Sequence, residues 1–307
     1  MKKVLIVGCG AIGSLFAAHL ASRGEVEVYA FDSSQPHVEA INRNGLRLSG
    51  AAELHVKLAK ASTDPAELPV CDYGIVATKA IHTAQAIAAA ARCFDHNSAV
   101  CSVQNGAGNE ELIAEHVKYV VRGTTFPAGH VAAPGHIGFD IKGDTWIGPF
   151  EPSKTPMERV EELGGFLTRS GMNTVALADA RGAQWTKLIF NAATNPVGAL
   201  TGLHHGAASR FPPTAELFEA LIREGEAVAK AMGIALHGDP RALVAKGANA
   251  PGKHKASMLQ DVLAQRTTEV DFMNGAIVKW GEKHGVATPL NRAMWALIKG
   301  LEDSWEE

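Results

Sequence analysis

Cysteine and net charge are both scarce in this sequence, and each shortage excludes a class of function. The four cysteines among 307 residues form no CxxC pair, so we expect reduced thiols in a cytoplasmic protein. The net charge of -3 arises from acids and bases mixed along the chain, which offers no broad field to nucleic acid or to an anionic membrane. The 13 histidines show no recognised metal-ligand spacing. We therefore expect no nucleic-acid partner, no membrane partner and no metal ion.

Long apolar runs are absent as well. No stretch approaches the roughly 20 consecutive apolar residues that a membrane-spanning helix needs. The first 22 residues, MKKVLIVGCGAIGSLFAAHLAS, combine two lysines with an apolar run, as a secretory signal does. Three glycines at fixed spacing interrupt that run, and it leads into a predicted helix and strand, so we expect it to be part of the folded protein. The length and the 46% hydrophobic content favour two globular domains.

The start of the chain predicts a strand, a glycine-rich turn and a helix. Lys2–Val7 is typical of a buried parallel strand, and GCGAIG follows it. In such a turn the first glycine permits the tight bend, the second admits a pyrophosphate and the third lets helix and strand pack closely. Asp32 stands 19 positions after Gly13, at the end of a second predicted strand, where an acid can bind the ribose hydroxyls. The predicted cofactor-binding residues here are Gly8, Gly10, Ala11, Ile12, Gly13 and Asp32.

Polar residues follow the next two predicted core strands. Lys79 comes after the strand near 71–77, and Asn105 after the strand near 98–103. In an open parallel sheet, ligands bind off the carboxyl ends of the strands, so we expect both side chains at the cofactor or substrate edge. The alternatives are a solvated loop charge for Lys79 and a turn residue for Asn105.

Strand patterns end near residue 178, and helical periods follow. We therefore predict a Rossmann-type α/β domain at 1–178 and an all-α domain at 179–307. A helix is expected from Asp179, with Pro196 ending it. Its four-residue steps place Lys187, Asn191 and Asn195 on one face. Because buried polar groups need partners, this face predicts a polar ligand, and a solvated stripe is the alternative.

Two later segments carry further candidates. Ser257-Met258-Leu259-Gln260 fits a capping box, so we predict a helix from Ser257 to about Lys283 with Glu269 on its less polar face. Ser257 acting only as a cap, and Glu269 paired with Arg266, remain alternatives. The preceding loop, residues 247–255, is basic and is interpreted as a lid over an anion or as a solvated connection.

Five segments together resemble the ketopantoate reductase family: GCGAIG, TKA, QNGAG, WTKLIFNAATNP, and KASMLQDV through RTTEVDFMNG. The resemblance covers nearly the whole chain. It implies a Rossmann domain followed by an all-α domain, an active-site cleft between them, and NADPH-dependent reduction of ketopantoate to pantoate.

The same resemblance implies roles for individual residues. The catalytic residues are then Lys187, as general acid, and Glu269, which helps to orient the substrate. Asn191, Asn195 and Ser257 bind the substrate, and Asn105 and Lys79 lie at the edge shared by cofactor and substrate.

Two positions depart from the family pattern. His205 stands before Gly206 where relatives often carry a substrate-binding Asn, so another branched 2-oxoacid is the alternative substrate. Asp32-Ser33-Ser34 replaces the usual arginine for the 2'-phosphate, so the residues favour NAD(H) where the family implies NADP(H). A β-hydroxyacid dehydrogenase and a non-catalytic dinucleotide sensor are the remaining alternatives. Monomer and homodimer are both compatible with the sequence.

Overall fold

The computed structural model describes residues 1–248 and 255–305, which divide into two compact units. The first unit contains Met1–Gln104 and Asn109–Ala180, and the second contains Asn105–Gly108 together with the chain from Arg181 onward. The proposed lid falls largely on residues 249–254 and so lies outside the described residues.

The first unit is an α/β structure. Its strands are β1 Lys2–Val7, β2 Val26–Phe31, β3 Leu46–Gly50, β4 Leu54–Val56, β5 Lys60–Ser62, β6 Tyr73–Val76, β7 Ala99–Ser102, β8 Tyr119–Thr125, β9 Ala128–Ala133, β10 His136–Ile141, β11 Thr145–Pro149 and β12 Thr174–Ala176. Its helices are α1 Ala11–Arg23, α2 Gln35–Asn44, α3 Thr83–Ala90, α4 Asn109–Ala114 and α5 Met157–Arg169.

The main sheet has the strand order β12-β11-β8-β7-β6-β1-β2-β5. Neighbouring strands are parallel except β8 and β11. The run β5-β2-β1-β6-β7-β8 is the Rossmann order, in which the chain reverses direction across the sheet between β1 and β6. The predicted Rossmann-type fold is therefore confirmed.

Helix α1 packs against two sheets, and the second sheet was not predicted. Residues Gly13–Leu20 of α1 are all buried, as expected of a helix that is apolar all round. On one side lies the main sheet, and on the other the four-stranded sheet β4-β3-β10-β9. Within this second sheet β3 and β4 form an antiparallel pair, and β3 also pairs with β10.

The described part of the second unit is helical, as predicted. Its helices are α6 Arg181–Thr201, α7 His205–Arg210, α8 Pro212–Ala231, α9 Pro240–Ala248, α10 Ser257–Leu263, α11 Asn274–Lys283 and α12 Pro289–Asp303. Helix α6 packs against α8, α9, α10 and α12, and its apolar residues form the centre of this unit's core.

The predicted end of α6 at Pro196 is wrong. The helix continues to Thr201 with Pro196 inside it. A proline has no N–H and leaves the carbonyl four residues earlier without its helical donor. Here that carbonyl belongs to Ala192, and the buried Asn274 side chain donates to it at 2.9 Å. A hydrogen bond from another helix thus replaces the one that Pro196 cannot make.

The predicted continuous helix from Ser257 to Lys283 is also wrong. Helix α10 ends at Leu263, and Gln265 adopts a left-handed backbone conformation with φ of 48°. A short 3-10 turn at Val270–Phe272 then precedes α11. The capping-box prediction fails as well, because the N-cap residue of α10 is Ala256 and Ser257 is the first helical residue.

Candidate active site

The glycine turn between β1 and α1 is tight at its first and third glycines and open at its second. Gly8 has a φ of +85°, and a Cβ there would lie 2.7 Å from Thr78 N. A Cβ on Gly13 would lie 2.0 Å from Gly8 O, whereas one on Gly10 would meet no atom within 4 Å. Ala11 and Ile12 begin α1. This is the arrangement that a pyrophosphate requires.

Asp32 lies beside this turn, at the end of β2. The N–H of Gly8 donates to Phe31 O at 2.8 Å, which holds the end of β2 against the turn. One carboxylate oxygen of Asp32 accepts from Ser34 N at 2.9 Å. The neighbouring Cys9 is buried, and burial raises the pKa of its thiol to about 12, with a smaller contribution from the Asp32 charge. The residues present here fit a dinucleotide.

The ends of β6 and β7 are joined by Gln104, which is not among the predicted site residues. Its Nε2 donates to Thr78 O at 3.0 Å and to Thr83 Oγ1 at 2.7 Å. Lys79 follows Thr78, the residue that packs against Gly8, and it precedes the 3-10 turn Ala80–His82. In the sequence, the only indication of this role for Gln104 is its position in the QNGAG segment.

Three of the predicted site residues meet in the second unit. Lys187 Nζ on α6 donates to Asn105 Oδ1 at 2.9 Å. The amide of Asn105 donates in turn from Nδ2 to Glu269 Oε2 at 3.4 Å. Asn105 is held in place because Ala107 N donates to Phe272 O at 3.0 Å. The ammonium, carboxamide and carboxylate therefore form one connected group.

The charge state of Lys187 is set by two opposing effects. Burial of the ammonium lowers the pKa of Lys187 to about 8, and the charge of Glu269 opposes that shift. Desolvation destabilises the cation, whereas a nearby carboxylate stabilises it. Lys187 can thus hold a proton at neutral pH and release it more readily than an exposed lysine, which suits a general acid.

Asn191 and Asn195 lie on the same face of α6 as Lys187 and are both buried. Asn195 Nδ2 contacts Met273 Sδ at 3.6 Å, which is a weak partner for an amide donor. Among the described residues, no side-chain hydrogen bond of Asn191 occurs. These amides are therefore available to a polar ligand.

Glu269 is positioned by contacts distant in sequence. Thr268 donates from N at 2.8 Å and from Oγ1 at 2.6 Å to Glu302 Oε1 on α12. The alternative pairing of Glu269 with Arg266 is wrong, because Arg266 pairs instead with the buried Asp261 at 3.2 Å. Anchoring of the 264–273 segment on α12 places Glu269 at Asn105.

Two other candidates have different surroundings. Ser257 is exposed at the start of α10. His205 Nε2 lies 3.0 Å from Val244 O, and since a carbonyl only accepts, this nitrogen donates. The His205 ring also stacks on Phe218 and contacts Phe190, with centroids 6.3 and 5.6 Å apart. His205 therefore joins α7 to α9 and α8.

Metal and membrane features are missing from the residues that the structure covers. Within 1–248 and 255–305, no group of three or more His, Cys, Asp or Glu side chains could hold a metal ion. None of the helices in those ranges is long and apolar enough to span a bilayer.

Comparison with protein families gives two consecutive matches. The family model Ketopantoate reductase PanE/ApbA matches residues 4–152, and Ketopantoate reductase PanE/ApbA C terminal matches residues 179–302. The 2-dehydropantoate 2-reductase of Pyrococcus abyssi is 34% identical over 300 residues, covering 98% of each chain. The enzyme of the same name from Archaeoglobus fulgidus is 32% identical over 302 residues, again covering 98% of each.

Solved structures show the same similarity. A PanE/ApbA family ketopantoate reductase from Ralstonia eutropha JMP134 superposes with a TM-score of 0.88 at 29% identity, covering 99% of this chain and 100% of the other. A D-mandelate dehydrogenase with NADH and anilino(oxo)acetate superposes with a TM-score of 0.89 at 25% identity and the same coverage.

Proposed function

Because this chain belongs to the ketopantoate reductase family of NAD(P)-dependent oxidoreductases, we propose that it reduces ketopantoate to pantoate, as a 2-dehydropantoate 2-reductase of pantothenate biosynthesis. The observation that carries the proposal is the connected group of Lys187, Asn105 and Glu269. The dinucleotide is assigned to residues 1–178 and the oxoacid to residues 179–307. The protein acts in the cytoplasm as a monomer or homodimer.

Lys187 is the general acid of this mechanism. The dinucleotide, when bound, supplies a hydride to the C2 carbonyl of the oxoacid. An ammonium at hydrogen-bond distance from the carbonyl oxygen stabilises the developing alkoxide and gives it a proton from Nζ. The contact of Lys187 with Asn105 fixes where that ammonium lies. Glu269 orients Asn105 and keeps Lys187 protonated at neutral pH.

The substrate is held by neutral polar groups. Asn191, Asn195 and Ser257 are assigned to the carboxylate and hydroxyl of the oxoacid, since an amide offers both donors and acceptors. Lys79 and Asn105 are assigned to the edge shared by cofactor and substrate. Gly8, Gly10, Ala11, Ile12 and Gly13 are assigned to the pyrophosphate.

The cofactor is assigned as NAD(H) in preference to NADP(H). A 2'-phosphate at the ribose would meet the Asp32 carboxylate, a repulsion on the order of 4 kcal/mol per charge pair at about 4 Å and an effective dielectric of 20, before solvent screening. Even a residual 1.4 kcal/mol is about a tenfold discrimination. Lys60, on the strand next to β2, is paired with Glu67 at 3.0 Å, so it does not offset that charge.

The test is oxidation of NADH and of NADPH by the purified protein with ketopantoate. We expect turnover with both and a kcat/KM at least as high with NADH. The variant Asp32→Ala with Ser33→Arg should shift the preference toward NADPH, and Glu161→Arg, at an exposed position of α5, serves as a control with the same change in net charge. Binding of a dinucleotide without turnover of any 2-oxoacid would indicate a non-catalytic dinucleotide sensor instead.

A second substrate remains a candidate because of His205. Its ring lies against Phe190, which precedes Asn191 on α6, so an aromatic pair stands where the family resemblance implies an amide. This favours a bulkier branched or aryl 2-oxoacid, and a structurally similar dehydrogenase was solved with anilino(oxo)acetate. The measurement is kcat/KM for ketopantoate and for a panel of bulkier branched and aryl 2-oxoacids, and the highest value identifies the preferred substrate.

A further inference from the structure

His37 makes contacts at both ring nitrogens that connect the glycine turn to a distant turn of the chain. It is buried on α2. Its Nε2 lies 2.9 Å from Cys9 O in the glycine turn. Its Nδ1 accepts from the N–H of Gly135, in the turn between β9 and β10, at 3.0 Å. No step of the proposed reaction uses this residue.

These two contacts determine the tautomer of the ring. A carbonyl oxygen only accepts, so Nε2 carries the proton and donates to Cys9 O. A backbone N–H only donates, so Nδ1 is unprotonated and accepts from Gly135. His37 is therefore the neutral Nε2–H form, and Ser14 Oγ is a second, longer contact of Nε2 at 3.4 Å.

The Cys9 carbonyl is held inward by two donors. Besides His37 Nε2, the Ser14 hydroxyl donates to the same oxygen at 2.6 Å. In a trans peptide the C=O and the following N–H point in opposite directions. Fixing the Cys9 carbonyl toward the protein interior therefore turns the N–H of Gly10 outward. Gly10 itself is open, since a Cβ there would meet no atom within 4 Å.

We propose that His37 is a positioning residue for dinucleotide binding, which holds the Cys9–Gly10 peptide so that the Gly10 N–H faces the pyrophosphate. The proposal rests on the proposed function, since it assumes that the glycine turn binds a dinucleotide. An N–H aimed in advance at a phosphate costs no reorganisation on binding. Without the His37 donor only Ser14 holds the Cys9 carbonyl, so the peptide rotates more readily and part of the binding free energy is lost to reordering it.

Two substitutions separate the two contacts of the ring. His37→Gln retains an N–H donor at about the position of Nε2 and so can still reach Cys9 O. His37→Asn retains an acceptor at about the position of Nδ1, but its shorter side chain cannot reach Cys9. His19→Asn is the matched control, because His19 is another buried histidine of the first unit and bonds Ser170 O instead.

The experiment is a fluorescence titration of NADH into each full-length variant, with a melting temperature for each. We expect His37→Asn to raise the dissociation constant for NADH about tenfold, which is the loss of one hydrogen bond of about 1.4 kcal/mol. His37→Gln should stay within about threefold of wild type, and His19→Asn should bind as wild type although its melting temperature falls. In turnover assays KM for the dinucleotide should rise, while KM for the oxoacid stays constant.

Equal weakening by His37→Gln and His37→Asn, in proportion to lost stability, would show a merely structural role and overturn the proposal. So would an unchanged dissociation constant for His37→Asn. Should that variant not fold, Ser14→Ala decides, because it removes the other donor to Cys9 O and should weaken NADH binding about two- to fivefold; unchanged binding contradicts the proposal. A wild-type protein that binds neither NADH nor NADPH refutes the proposed function itself and is a separate result.

Discussion

Lys187 shows how the pKa of one buried residue can be tuned by a nearby carboxylate. Burial lowers the pKa of Lys187, and the charge of Glu269, which also contacts Asn105, raises it again. The result, about 8, lies close to physiological pH, where a general acid combines a bound proton with a useful tendency to release it. Glu269 thus has a second effect besides orienting Asn105, which is to keep the ammonium charged.

This tuning predicts a pH profile for Lys187 in the reduction direction. In the proposed mechanism the ammonium form is the active one, so kcat/KM should be constant below about pH 8 and fall above it, tenfold per pH unit. Glu269→Gln removes the charge that raises the pKa of Lys187, so the falling limb should move to lower pH. Lys187→Ala should lower kcat by at least about 10²-fold.

The control is Lys230→Ala, an exposed lysine on α8, which should leave the profile unchanged. A falling limb that keeps its position in Glu269→Gln would contradict the electrostatic coupling. Near wild-type kcat in Lys187→Ala would contradict the assignment of the general acid.

At the scale of elements, α6 is a helix that continues through a proline because a second helix supplies the missing hydrogen bond. Asn274 Nδ2 donates to Ala192 O at 2.9 Å and to Asn291 Oδ1 at 3.0 Å. Asn291 in turn donates to Leu221 O and to Glu224. This chain of buried amides joins α6, α8, α11 and α12, and it fixes the helix that carries Lys187, Asn191 and Asn195.

Asn274→Ala is therefore expected to destabilise the protein by about 1–3 kcal/mol, because it leaves the buried Ala192 carbonyl without a donor. Pro196→Ala restores the backbone N–H at position 196, so it should recover part of that loss in the double variant. Chemical denaturation of the wild type, both single variants and the double variant measures the coupling. Simple additivity of the two changes would mean that Asn274 does not substitute for the helical hydrogen bond.

The sequence predicted the parts of the site that depend on local periodicity. Lys187, Asn191 and Asn195 share a face because a helix repeats every 3.6 residues, and the glycine turn has a fixed spacing. The prediction for Glu269 was wrong about its helix. The left-handed backbone at Gln265 and the bonds from Thr268 to Glu302 end the expected helix before Glu269. Those bonds join residues 34 positions apart, which no local pattern contains. The role of Asn274 could not be predicted either, because its partners Ala192 and Asn291 are also distant from it in the sequence.

At the scale of the whole molecule, stability should depend on pH through a buried histidine in the core of the first unit. His19 lies on α1, which packs against both sheets of that unit. Its Nδ1 donates to Ser170 O at 2.9 Å, and its Nε2 is buried with no hydrogen-bond partner among the described residues. Burial is the largest cause that lowers the pKa of His19 in the folded protein, and the bond to Ser170 partly opposes it.

The sign of the effect follows from the depressed folded-state pKa. Above pH 6.5, near the pKa of an unfolded histidine, both states are neutral at this residue and its full contribution is present. Below that pH the unfolded chain binds a proton that folded His19 does not, so the free energy of unfolding falls by up to about 1.4 kcal/mol per pH unit, until the folded pKa is reached.

His19→Asn keeps a donor for Ser170 O but cannot titrate, so its stability should fall less between pH 7.5 and 5. Urea unfolding at several pH values measures this, with the exposed His96→Gln as a control that should follow the wild type. Parallel curves for His19→Asn and wild type across that range would show that His19 does not control acid stability.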